Sequence, residues 1–192
     1  MRRQIAAALC SAALGAITVS ASSLAIAQQK AAKATGDRQV YSTIKDLMES
    51  IIDPSADALW GAAGTVIDTQ GTQDMSPKTP QEWLGVRRAA VRIVEGANLL
   101  MMSGRDAAPA GTKSEAPGVE LEPAEITALI KKKRKSFDAF AKALQALGLE
   151  ALRASEAKDV PLLEDIGGRM ENVCESCHQT FWYPQEQAAT RN

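Results

Sequence analysis

Cys174-Glu175-Ser176-Cys177-His178 holds the sole histidine of this chain and two of its three cysteines within five positions. Cys-x-x-Cys-His is the spacing of covalent c-type haem attachment. On a helix the two sulfurs lie nearly one turn apart, each able to add to one vinyl group of a porphyrin. The adjacent imidazole is then carried under the ring, where it binds iron as the proximal axial ligand. The expectation is one covalently bound haem c, attached at Cys174 and Cys177, with His178 as an iron ligand.

Other chemistries fit the spacing less well. A structural zinc site takes four Cys or His ligands, usually as two separated pairs. Without Cys10, which lies in the N-terminal apolar segment, the chain has three such residues. A thioredoxin-like redox pair would open a helix after a strand in an α/β pattern, and here the pair comes late in a helical one. A plain disulfide would leave His178 unexplained.

The N-terminus supplies a compartment for this chemistry. Residues 1–27 read as a cleaved secretory signal: Arg2-Arg3, an apolar stretch rich in Ala, Ser and Gly, and a small-residue site ending Ala25-Ile26-Ala27. The apolar part is short for a spanning helix and lacks a stop-transfer pattern, which argues against a membrane anchor. Haem attachment needs reduced cysteines and takes place outside the bacterial cytoplasm, so leader and motif point to the same place, the periplasm. Removing residues 1–27 takes two arginines and no acids from 22 basic and 23 acidic residues, leaving 20 against 23. That mildly acidic balance offers no footprint for nucleic acid, and no other span is apolar enough for stable membrane insertion.

The elements that must position the motif read as helices. Residues 28–37 have the composition of a mobile N-terminus, 38–184 carry the domain, and 185–192 form a tail. Val40, Ile44, Leu47, Met48 and Ile51 make one apolar stripe, which Asp53-Pro54 should end or kink. Leu59, Trp60, Ala63, Val66 and Ile67 suggest a second helical stretch, followed by a loop over 71–80. Thr79 and Pro80 suit the cap and first residue of a long helix, from Trp83 to a stop at Ser103-Gly104. The stretch 105–121 is aperiodic, with two prolines and two glycines, and should be a long loop. Glu122-Pro123 should open a third long helix ending at Gly148, and a last helix should run from near Pro161 through the motif to Pro184. Four striped helices and almost nothing that reads as strand predict an all-α protein, an antiparallel four-helix bundle with haem c on the C-terminal helix.

An exported chain of this size with the attachment motif in its last helix resembles the class II c-type cytochromes, the cytochrome c-prime family. The resemblance covers approximately Arg38 to Tyr183, and its specific part is the motif and its place. Members divide by what faces iron opposite the histidine: an apolar residue from the first helix in gas-binding members, or a methionine there in low-spin electron carriers. The chain has no second histidine. Met48, on the first helix, therefore becomes the expected distal ligand, with core packing as its other reading. Met75, Met101, Met102 and Met170 are further candidates. After the motif this chain departs from the common family pattern, running Gln179 to Pro184 without the usual basic residue.

The resemblance thus implies a one-electron carrier with His/Met-ligated low-spin iron, or alternatively a five-coordinate binder of nitric oxide or carbon monoxide. It implies no enzyme: with no distal histidine, no acid and base for peroxide cleavage can be named. Redox partner proteins are expected, and dimerisation known in the family makes a homodimer a second expectation. Lys131 to Lys135 are either a docking patch for an acidic partner or a solvated face. Lys133 and Arg87 lie on apolar stripes and either extend to water or contact haem propionates. Trp60, Trp83 and Phe137 are core residues or porphyrin neighbours.

Overall fold

The computed structural model describes residues 39–69 and 71–184, so the expected leader, the N-terminal segment 28–37 and the tail 185–192 lie outside the described residues. The chain separates into Met1–Gln39 and Val40–Asn192, and every element below belongs to the second unit.

The first helical run has three parts: α1 (Ile44–Leu47), a π-helical segment (Met48–Ile52), and α2 (Asp53–Trp60). Thr43 starts it with a capping box, accepting from the Asp46 amide while the Asp46 carboxylate accepts from the Thr43 amide. Pro54 neither ends nor breaks the path. It occupies the first turn of α2, where a missing N–H is tolerated.

The expected continuation of this run beyond Trp60 is not helical. Val66 and Ile67 belong to a short strand, β1 (Thr65–Asp68), paired antiparallel with β2 (Gly71–Asp74). Gly64 at φ +90° turns the chain out of the helical path, a conformation that costs glycine little. The stretch 71–80, expected as loop, thus contains a strand. Val66 and Ile67 remain 47% and 80% exposed, so the hairpin adds no apolar face to the core.

Three long helices follow. In α3 (Pro80–Leu100) the expected cap is present: the Thr79 hydroxyl accepts from the Glu82 amide, and the Glu82 carboxylate accepts from the Thr79 amide. The third long helix is divided at Lys133 into α4 (Pro123–Lys132) and α5 (Arg134–Ala157). Gly148 does not stop α5. A Cβ there would lie 2.9 Å from the Cγ2 atoms of both Ile93 and Val94, so this glycine admits α3 against α5. The last helix, α6 (Val160–Phe181), begins at the Asp159 cap and contains the whole motif.

The protein is thus mostly helical. α3 packs along α5, α5 along α6, and α2 against both α3 and α6. Ile93, Ala97, Ile126, Ile166, Met170 and Phe181 are among the most deeply buried side chains of the shared core. The Phe181 ring stands edge-on to Phe137 and Phe140, with centroids 5.5 and 6.3 Å away. That packing fixes the end of α6 that carries the motif.

Candidate functional site

Two adjoining cavities meet at the motif, and Met48, Asp53 and His178 line both. The first, about 120 Å³, is apolar. Cys174, Cys177 and Val173 of α6 face Ile52 and Ala56 of the first run, Leu100 of α3, and Phe137, Phe140 and Leu144 of α5. The second, about 270 Å³, is the more polar of the two and lies between the first run and the 105–121 loop, with Lys45, Glu49, Lys113, Glu115 and Glu120 among its charged groups.

Residues far apart in sequence are therefore brought together. Met48, at the start of the π-helical segment, is half-buried and shares both cavities with His178 of α6. None of the other described candidates lines either one. Met170 is fully buried in α6, Met75 is exposed, Met101 packs against the core, and the Met102 sulfur lies 3.7 Å from the Arg105 guanidinium. Trp60 and Phe137 line the apolar cavity, whereas Trp83 sits in the core away from it.

The thiols are free and half-buried. Burial pushes Cys174 up to about 11, with the Asp53 carboxylate adding to the rise, and pushes Cys177 up to about 12. Both therefore remain S–H at neutral pH, the form in which a thiol is a poor ligand for a soft metal. Among the described residues no cluster of three or more His, Cys, Asp and Glu forms a metal cage. Partial burial also holds the Asp53 carboxyl above its ordinary range, with the nearby His178 opposing that rise.

His178 is framed by aromatic residues, its ring centroid 6.2 Å from Trp182 and 6.4 Å from Tyr183. Its carbonyl accepts from the amides of both residues, at 2.7 and 3.1 Å, closing the helix end around it. The Tyr183 hydroxyl and Gln179 amide both donate to Glu175, each at 2.6 Å, and hold that carboxylate below its ordinary range. Glu175, between the two cysteines, is thereby tied to the segment that follows the motif.

Arg87 and Lys133 line neither cavity. Arg87 pairs with Glu156 at 2.7 Å on the surface. Lys133 is exposed at the junction of α4 and α5, which explains its place on an apparently apolar stripe: the helix breaks there and the register restarts. Within the same basic run, Lys131 pairs with Asp106 at 3.6 Å. Arg134 donates to the Met101 carbonyl and pairs with Asp138. Lys45 and Lys113 are the cations that do face the polar cavity, and sequence periodicity pointed to neither.

The long loop has a clear place. Arg105, only 7% exposed, donates to the Leu99 carbonyl at 2.9 Å and to the Ser42 carbonyl at 2.6 Å. The amides of Ile44 and Lys45 donate to the carbonyls of Asp106 and Ala107, and the Leu121 amide donates to the Trp182 carbonyl. Lys45 bridges Glu49 and Glu115 across the gap, and both carboxylates raise its pKa. The loop is thus fastened to the first run at one end and to the motif helix at the other. Between these points it walls the polar cavity.

No protein family, curated protein or solved structure matches this chain.

Proposed function

We propose that this protein is an exported haem c protein of the class II cytochrome type that carries single electrons in the periplasm. Cys174 and Cys177 are its attachment residues, and His178 and Met48 its two iron ligands. The observation that carries this reading is the convergence of both thiols, the single histidine and Met48 on one apolar cavity. An antiparallel four-helix bundle, with the cofactor on the last helix, is part of the proposal. The mutual packing of α2, α3, α5 and α6 supports it.

The donor set suits the group. Cys174 and Cys177 would hold the group through thioether bonds, each S–H adding across one vinyl group, so attachment would need reduced cysteines and no oxidant. Haem, once bound, supplies an iron that changes by one electron between ferric and ferrous states. His178 would offer a ring nitrogen from the C-terminal turn of α6, and Met48 would offer an uncharged thioether. His and Met ligation raises the reduction potential. Phe137, Phe140, Leu144 and Leu100 keep water from the apolar side. Redox proteins are the proposed partners, and a homodimer is the proposed assembly.

The test is the visible spectrum of the exported protein with and without dithionite. A sharp low-spin α-band in the reduced form and a sulfur-to-iron charge-transfer band in the oxidised form are expected. Met48→Ala should remove the charge-transfer band and admit carbon monoxide. A broad high-spin spectrum in the unaltered protein, shifting with carbon monoxide, would instead make it the gas-binding type.

A further inference from the structure

We propose that Gly96 of α3 is a positioning residue for Met48: its lack of a side chain lets the π-helical segment seat closely, and that seating keeps Met48 in the wall it shares with His178. The inference rests on the reading that Met48 ligates iron.

The buried apolar side chains of the first run are Ile44, Leu47, Ile52, Ala56 and Leu59, with a step of five between Leu47 and Ile52. In an unbroken α-helix a step of five overshoots a full turn by about 140°, which would carry one of the pair out of the core. The wider turn absorbs the extra residue. The Asp53 amide donates to the Met48 carbonyl five residues back, and the Ser55 hydroxyl donates to the Ile51 carbonyl at 2.5 Å. Met48 is the first residue of this turn, directly after buried Leu47, and lines both cavities. π-Helical turns of this kind recur at functional sites.

The segment reaches α3 at Gly96. A Cβ on Gly96 would lie 2.9 Å from the Ile52 Cγ1 and 3.3 Å from the Ile51 Cγ2, both on the Met48 turn. Glycine inside a helix costs about 1 kcal/mol relative to alanine, and its backbone here needs no positive φ. Close approach is the remaining structural reason for it. Gly148 of α5 supplies a matched comparison, since its Cβ would also come within 2.9 Å of neighbours, but those are Ile93 and Val94 of α3.

The experiment compares holoprotein carrying Gly96→Ala, Gly148→Ala or Met48→Ala by oxidised spectrum, carbon monoxide binding and thermal melting. Gly96→Ala should lose the charge-transfer band and gain a carbon monoxide-reactive high-spin fraction; Gly148→Ala should melt earlier yet keep the band. A folded Gly96→Ala protein with an intact band, or equal loss of the band in both glycine variants, overturns the positioning role. If Gly96→Ala yields no folded protein, the readout is Gly96→Ala with Ile52→Ala, which removes the colliding atom. Return of the band supports the proposal, and a folded double variant without it refutes it. An unchanged spectrum in Met48→Ala sinks the ligand assignment itself. A changed one, with an intact band in Gly96→Ala, sinks only the role of Gly96.

Discussion

Two helix-interior glycines should respond to alanine with opposite signs. At Gly85, on the exposed side of α3, a Cβ would meet nothing within 4 Å. Alanine there gains helix propensity and reduces unfolded-chain freedom, raising stability by about 0.5–1 kcal/mol. At Gly148 the same gain is opposed by contacts at 2.9 Å with two branched side chains and at 3.1 Å with the Val94 backbone nitrogen. Backbone cannot rotate aside, and overpacking of this kind costs about 1–3 kcal/mol. Gly148→Ala should therefore be destabilising by about 1–2 kcal/mol net, a fall in Tm of roughly 2–8 °C for a domain of this size. Circular dichroism melts of the two variants beside the unaltered protein provide the assay. If Gly148→Ala melts at or above the unaltered protein, the close packing of α3 on α5 is refuted.

Three other perturbations have defined outcomes. Phe181→Ala removes a fully buried ring from its edge-on contacts with Phe137 and Phe140 and should cost about 3–5 kcal/mol, read by denaturant unfolding. The Glu82 carboxylate is held below its ordinary 4.5 by the amides of Lys78 and Thr79, so its contribution is complete above that value and is lost as pH falls through the lowered one. Glu82→Gln keeps the capping bond without the charge, and its Tm should fall less steeply than the unaltered protein's between about pH 6 and pH 3. In the haem-free chain, burial of Cys174 and Cys177, raised to about 11 and about 12 from an ordinary 9.0, should slow alkylation by iodoacetamide at neutral pH. The slowing should be roughly one to two orders of magnitude relative to a free cysteine, because the greater nucleophilicity of a more basic thiolate partly offsets its lower population. Rates equal to a free cysteine would show that the thiols are not buried.

What sequence revealed followed the range of the interaction involved. The start of α3 was legible because Thr79, Pro80 and Glu82 cap one another over three residues. The 105–121 loop was legible from its lost periodicity, but its role was not, because its fastenings run to Ser42, Ile44 and Trp182. Gly148 looked like a helix stop because glycine commonly ends helices. Its actual reason lies across the interface in Ile93 and Val94, which no local signal encodes. Val66 and Ile67 prolonged an apolar pattern past Trp60, yet Gly64 had already turned the chain toward the hairpin. The π-helical segment left only a faint trace, adjacent Ile51 and Ile52 ahead of Pro54. At the site, the motif is contiguous in sequence, and periodicity put Met48 on the apolar stripe of the first run, from which it lines both cavities with His178. Lys45 and Lys113 could not be found that way, because they face the polar cavity only through the fold of the loop.

The proposed function turns on whether His178 and Met48 hold one iron between them. The most direct measurement is the oxidised near-infrared and visible spectrum of the haem-loaded protein beside that of Met48→Ala. A sulfur-to-iron charge-transfer band is expected in the first, and its absence, with carbon monoxide binding, in the second. An identical pair of spectra would contradict the proposal.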